Sequence, residues 1–141
     1  APSLSLKINY SPKQSKAMES KELRIGNLLK YDDGTIVEVL TVSSRDIVVK
    51  RFPQPLNISV LHPIPLTPEI LEKAGWYWNA ECNSYEHADI RMNMQFREVN
   101  QSWTMYNHVL KAVIAKRIYH VHQLQNLYYA LTGEELEINL T

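Results

Sequence analysis

The stretch from His120 to Leu136 constrains the fold most, because it predicts a single amphipathic helix with a defined end. Its apolar residues recur at helical spacing and fall on one face: Val121, Leu124, Leu127, Tyr128 and Leu131. Gly133 ends the predicted helix, since glycine readily adopts the left-handed conformation found just after helices. We therefore predict a core-covering helix over 120–132, followed by an edge strand over 136–140.

Residues 25–62 predict a small β-rich unit. Four short segments rich in apolar and β-branched residues are separated by turn signals, and they cover 27–31, 35–41, 47–52 and 58–62. Asp32, Asp33 and Gly34 form the first turn, since Asp and Gly tolerate the backbone conformations of tight hairpins. Several short strands at close spacing predict a small β-barrel or a curled sheet, for which an SH3-like fold is the candidate.

The second half predicts a short helix and then antiparallel strands. Thr67 is a suitable N-cap, Pro68 suits the first helical position, and Gly75 suits the position after the last turn. The strand segments that follow are 76–78, a region starting at 85, 90–97 and 102–107. Residues 109–119 fit either a strand or a helix, and their β-branched content favours a strand.

The predicted fold class is therefore α+β. A β-rich unit over 21–66 is joined through a short linking helix to an antiparallel β-hairpin region, which the C-terminal helix closes. We expect this second unit, 67–141, to share one core with the first. Residues 11–20 are polar without periodicity, and we predict that 1–20 form a flexible extension or linker, with Met18 as the natural start. Leu4–Tyr10 alternates well enough to add as a strand to a free sheet edge.

Charge and cysteine content narrow the function classes. Lys plus Arg and Asp plus Glu number 15 each, so no net charge steers the chain toward nucleic acid or an anionic membrane. One cysteine cannot form an internal disulfide, which favours a reducing compartment. No apolar run approaches the roughly 18 residues of a membrane span. We expect a protein of a reducing compartment with no membrane partner, for which a homo-oligomer is an open alternative.

Three segments resemble a family of small proteins encoded by phages, prophages and mobile elements of Bacteroidetes-type bacteria. They are Lys21–Asn27, Pro63–Thr67 and Val121–Glu135, the last continuing into Leu136. The resemblance covers 21–75 and 118–138 and is looser between them. It implies a phage or mobile-element accessory protein in the cytoplasm of a bacterial host, and it assigns no catalytic residue.

The residue types that serve catalysis and metal binding are present only in weak arrangements. His120 and His122 would share a metal on a strand, but at a helix start they point about 200° apart. We therefore expect His122 to be a structural residue at the junction, held by a hydrogen bond. Cys82 and His87 lack the further ligands of a zinc site or an orienting group for a nucleophile. We predict no cofactor, no metal and no enzyme.

The stretch 99–132 contains no Asp or Glu and mixes basic with aromatic residues. Cations for phosphates and flat rings for stacking are what a nucleotide or single-stranded nucleic acid requires. The candidate ligand-binding residues are Trp103, Tyr106, Lys111, Lys116, Arg117 and Tyr119. Ordinary core packing of the aromatic residues is the alternative.

A second candidate surface is the aromatic cluster Trp76, Tyr77 and Trp78. Trp and Tyr dominate the binding energy of protein interfaces, and alternate residues of a strand face opposite sides. The function we predict is a non-enzymatic protein-interaction module acting on a host or phage protein. Binding of a nucleotide or nucleic acid through 99–132 is the alternative.

Overall fold

The structure is a computed structural model that describes residues 17–140. The chain divides into two compact units. The parent unit contains residues 17–64 and 120–136, and the inserted unit contains residues 65–119 and 137–140. Both units carry an antiparallel sheet with helices, which confirms the predicted α+β class.

The parent unit is built on a five-stranded antiparallel sheet of order β4-β3-β2-β1-β5. Its strands are β1 (Leu28–Tyr31), β2 (Ile36–Val42), β3 (Asp46–Val49), β4 (Leu56–Asn57) and β5 (Leu61–His62). β1 pairs with both β2 and β5, so it is a central strand. The sheet is open, and the closed barrel we predicted is therefore wrong.

The turn between β1 and β2 forms as predicted. Gly34 has φ of +91°, and the Asp33 carboxylate accepts a hydrogen bond from the Thr35 N–H at 2.8 Å. Hydrogen bonds from Thr35 lower the pKa of Asp33. The predicted fourth strand over 58–62 is mostly a 3-10 turn, Ile58–Val60, because the Asn57 side chain caps it by accepting from the Ser59 N–H at 2.9 Å.

The predicted C-terminal helix is confirmed as α2, Val121–Thr132, and Gly133 ends it with φ of +76°. Within the parent unit α2 packs on β1, and the apolar cluster of the sheet contains Leu29, Val39 and Ile47. The predicted boundary at 66/67 grouped this helix with the second unit, whereas the compact units group it with the N-terminal strands. That both units share one core stays a prediction.

The inserted unit begins with α1 (Pro68–Lys73), whose N-terminus is capped as predicted by the Thr67 hydroxyl, which accepts from the Ile70 N–H at 3.3 Å. A second antiparallel sheet follows, of order β10-β9-β8-β7-β6. Its strands are β6 (Trp76–Asn79), β7 (Ser84–His87), β8 (Met92–Arg97), β9 (Ser102–Asn107) and β10 (Ala112–Ile118). The ambiguous segment 109–119 is thus a strand, as favoured.

Two expectations about the chain termini have different outcomes. Residues 136–140 form no strand, and Leu136 is instead buried. The predicted extension falls outside the described residues up to position 16. Met18 packs against the apolar cluster of the parent unit, and Ser20–Glu22 forms a 3-10 turn.

Candidate functional site

A groove of about 350 Å³ lies over β9 and β10 of the inserted unit. It is lined by three cationic side chains, Arg97, Lys116 and Arg117. Its other walls are polar or apolar: Asn100, Ser102, Thr104, Val99 and Val113. Its volume lies near the lower end of the roughly 300–1,000 Å³ of small-molecule sites.

An irregularity in β10 brings two cations to the same place. Ala115 pairs with Met105 and Ile118 with Trp103, so Lys116 and Arg117 together oppose Thr104. In a regular strand, neighbouring side chains point to opposite faces, but a bulge re-aims them. Arg117 has φ of +58°, which costs a non-glycine residue about 1 kcal/mol. The extra residue therefore lets both side chains line the groove.

The third cation reaches the groove from the other side of β9. Arg97 pairs with Ser102 across β8 and β9. Its guanidinium donates to the side-chain oxygen Oε1 of Gln95 at 3.2 Å, and the Ser102 hydroxyl donates to Asn100 Oδ1 at 2.6 Å. Ser102 and Thr104 are buried between the flanking cations.

The groove is electrostatically one-sided. No Asp or Glu lines it, and among residues 17–140 none of its three cations forms a salt bridge. Three like charges that line one groove repel one another, and an anion between them removes that repulsion. The arrangement is therefore suited to binding an anion.

The structure separates the six predicted ligand residues. Lys116 and Arg117 line the groove. Trp103 and Tyr119 are buried, and the Trp103 indole N–H donates to the Leu66 carbonyl at 2.9 Å. Trp103 also makes edge-to-face contacts with Tyr85 and Phe96, so its ring offers no face for stacking. For Trp103 and Tyr119, the alternative of ordinary core packing therefore applies.

The remaining two predicted ligand residues lie along the same hairpin. Tyr106 is half-buried and pairs with Val113 of β10. Lys111 is exposed in the turn between β9 and β10, where its φ is +55°. Neither residue lines the groove, but both belong to the β9–β10 hairpin.

The predicted protein interface is divided by the alternation of β6. Trp76 is buried, Trp78 is half-buried against Tyr85, and Tyr77 is 49% exposed on the opposite face. Burial raises the pKa of the Tyr85 hydroxyl to about 12. Only Tyr77 of the three is therefore placed to contact a partner.

A polar network that we did not predict lies around Glu86. The Glu86 carboxylate accepts from the Tyr77 hydroxyl at 3.0 Å, from the Cys82 thiol at 3.5 Å and from the Asn93 amide at 3.4 Å. Partial burial opposes ionisation, but hydrogen bonds from Asn79, Tyr77, Cys82 and Asn93 lower the Glu86 pKa overall. Desolvation and the adjacent carboxylate raise the Cys82 pKa, so its thiol stays protonated and is a weak nucleophile.

In the parent unit, His120 and His122 are buried with their rings stacked, 5.7 Å between centroids and 7° between planes. The structural hydrogen bond predicted for His122 stays a prediction. Both of its ring nitrogens are buried, and Nε2 lies 3.5 Å from Glu22 Oε1, a polar contact that opposes the effect of burial on the His122 pKa. Burial lowers the pKa of both rings, that of His120 to about 4. Both imidazoles are therefore neutral near pH 7.

Sequence reasoning missed Arg97 and the polar groove residues Asn100, Ser102 and Thr104. A signal for Arg97 was present, because the alternation of 90–97 and the hairpin with 102–107 place it opposite the start of the next strand. The bulge in β10 leaves no such signal, since it depends on how β10 pairs with β9.

Comparison with protein-family models, with curated proteins and with solved structures found no match. The resemblance to phage and mobile-element proteins therefore stays a prediction. Neither helix in the described part of the chain has the length and apolarity to cross a membrane. Within residues 17–140, no three His, Cys, Asp or Glu side chains are grouped to hold a metal ion.

Proposed function

We propose that the protein is a non-enzymatic binding module whose groove holds an anionic, phosphate-bearing ligand. The observation that carries this proposal is the strained bulge in β10, which places Lys116 and Arg117 side by side opposite Thr104. Arg97 completes the set of cations. Guanidinium groups and Lys ammonium groups are the usual protein partners of phosphate.

The arrangement also agrees with a common way of protecting a sheet edge. Bulges and Lys residues on edge strands discourage pairing with other chains. Edge protection alone, however, does not require Arg97 on the far side of β9 or a polar floor between the cations. These two features support ligand binding over edge protection.

The test is calorimetric titration of inorganic pyrophosphate into the protein at low salt. Arg97→Gln, Lys116→Gln and Arg117→Asn are each expected to weaken binding about fivefold, since each removes one exposed charge contact. Asn is chosen at 117 because it tolerates positive φ. Lys73→Gln, on an exposed residue of α1, is the control and should bind as the unmodified protein does. Equal pyrophosphate affinity in all four variants would refute the proposal that the groove binds the anion.

A protein-interaction function is the second proposal, supported by the exposed apolar tip of the β9–β10 hairpin. Leu110 is 71% exposed there, next to exposed Val109. The partner we propose is a host or phage protein in the bacterial cytoplasm, as the family resemblance implies. Leu110→Ser should abolish capture of that partner from a lysate of the host, whereas Leu131→Ser, also exposed, should not. If Leu110→Ser still captures the partner protein, the proposal that the hairpin tip forms the interface is contradicted.

We also propose that the parent unit has an SH3-like topology. Its support is the strand order β5-β1-β2-β3-β4 together with the 3-10 turn between β4 and β5. Nuclear Overhauser contacts between Tyr31 and Leu61, which pair across β1 and β5, are expected in solution. Their absence would contradict this topology.

A further inference from the structure

We propose that the ligand is a single-stranded nucleic acid, whose backbone runs from the groove along β10 to Lys111 at the hairpin turn. This inference rests on the proposed function and names its ligand class. The strand would contact four cations: Arg97, Lys116, Arg117 and Lys111.

The first support is the length of the cationic track. Arg117 lies opposite Thr104 and Ala112 pairs with Asn107, which is three residues along β9, and Lys111 lies one residue further. The separation is therefore about 13 Å at roughly 3.3 Å per residue. A single mononucleotide in the groove would not reach Lys111. A track of this length suits roughly 4 nucleotides, the lower end of the site sizes known for single-strand binding folds.

The second support is the surface between the cations. Val113, the second residue of β10, lies between Lys111 and Lys116 in the chain and is 47% exposed, and Tyr106 is half-buried directly across from it. An apolar methyl surface beside a tyrosine offers a base something to stack on without reading its identity. The expected recognition is therefore tolerant of sequence.

The third support is the distribution of charge. From Val99 to Tyr119 the chain contains Lys111, Lys116 and Arg117 but no Asp or Glu. The chain as a whole has no net charge, so long-range attraction is absent. Binding would then depend on the local track, and it should be weak and strongly dependent on salt.

The experiment uses fluorescein-labelled oligouridylates of 2 to 12 nucleotides, with fluorescence anisotropy measured between 50 and 300 mM salt, and with uridine monophosphate and inorganic pyrophosphate as competitors. Affinity should rise with length and level off at roughly 4 nucleotides. For four phosphate contacts, the slope of log K against log salt should be about −2.8, at about −0.7 per contact. Oligothymidylates of the same lengths show whether the 2′-hydroxyl contributes.

The deciding variant is Lys111→Asn, because Lys111 lies outside the groove and Asn accepts its positive φ. It should reduce the slope by about 0.7 and weaken oligonucleotide binding about fivefold, with pyrophosphate binding unchanged. Lys73→Asn is the control and should leave both unchanged.

The outcomes separate the two proposals. If uridine monophosphate competes as well as a tetranucleotide, or if Lys111→Asn binds oligonucleotides normally, the single-strand inference is overturned while the groove proposal stands. If no oligonucleotide binds at 50 mM salt but pyrophosphate does, the same conclusion holds. If the Arg97, Lys116 and Arg117 variants bind pyrophosphate unchanged, both proposals fail.

Discussion

At the scale of single residues, the buried pair His120 and His122 makes stability depend on pH. Both pKa values are lowered in the folded chain by burial, so the unfolded chain binds protons more readily. The stability that the neutral rings contribute is complete above the histidine pKa of the unfolded chain, about 6.5. It is lost as pH falls toward the lower pKa of the folded chain. We expect His120 alone to lower the free energy of unfolding by roughly 2 to 3 kcal/mol between pH 7.5 and pH 4.5.

Urea denaturation at the two pH values measures this loss. In His120→Gln the difference in the free energy of unfolding between pH 7.5 and pH 4.5 should shrink by that amount, because glutamine does not titrate. Gln54→Leu, on an exposed loop, serves as the control, since it adds and removes no titrating group and should leave the difference in place. An unchanged pH dependence in His120→Gln would contradict the assignment.

The backbone at Arg117 makes a second prediction at this scale. Replacing Arg117 with glycine relieves its positive φ and should stabilise the fold by roughly 0.5–1 kcal/mol, while weakening pyrophosphate binding. Arg51→Gly relieves a similar φ of +73° in the parent unit, away from the groove residues in sequence, and should stabilise the fold without affecting binding. Thermal unfolding and calorimetry of the two variants separate strain from charge. A loss of binding in both variants would show that the effect is not specific to the groove.

At the scale of elements, one glutamine connects α2 to the start of β1 through hydrogen bonds. Gln125 is buried; its carbonyl oxygen accepts from the Leu28 N–H at 2.9 Å and its amide donates to the Gly26 carbonyl at 3.1 Å. Gln125→Leu leaves both backbone groups unpaired and should cost roughly 2–4 kcal/mol in urea denaturation. Gln54→Leu, on an exposed loop, should change stability by less than about 0.5 kcal/mol. A small effect of Gln125→Leu would mean that water replaces the amide.

The elements that could be predicted are those whose signals are local. The helix ending at Gly133, the cap at Thr67 and the turn at Gly34 depend on residues a few positions apart, and all three are present. The open edge of the first sheet and the missing strand at 136–140 depend on long-range pairing. For the candidate site, Lys116 and Arg117 could be predicted from composition. The burial of Trp103 and the bulge could not, since both depend on partner strands.

At the scale of the whole molecule, each unit holds its own chain ends together. In the parent unit, the Val121 N–H donates to the Ile64 carbonyl at 2.8 Å, and in the inserted unit the Leu66 N–H donates to the Tyr119 carbonyl at 2.9 Å. Replacing residues 65–119 with a short Gly-Ser linker should therefore leave the parent unit folded, because the chain ends at Ile64 and His120 already lie close together. Circular dichroism and the amide spectrum of β1–β5 would test this. A shortened chain with a spectrum of unfolded protein would contradict it.

The discontinuous parent unit has a consequence for synthesis on the ribosome. Its strands up to Ile64 emerge before the inserted unit, yet the helix that packs on β1 and supplies Gln125 follows only after residues 65–119 have been made. At roughly 5–20 residues per second, the interval from Ile64 to Leu136 is on the order of 4–14 s. The inserted unit has nearly all of its chain in one continuous stretch and can fold during that wait. During translation the inserted unit should therefore fold before the parent unit, although strands β1 to β5 emerge first. Until α2 is released, we expect those strands to depend on chaperones.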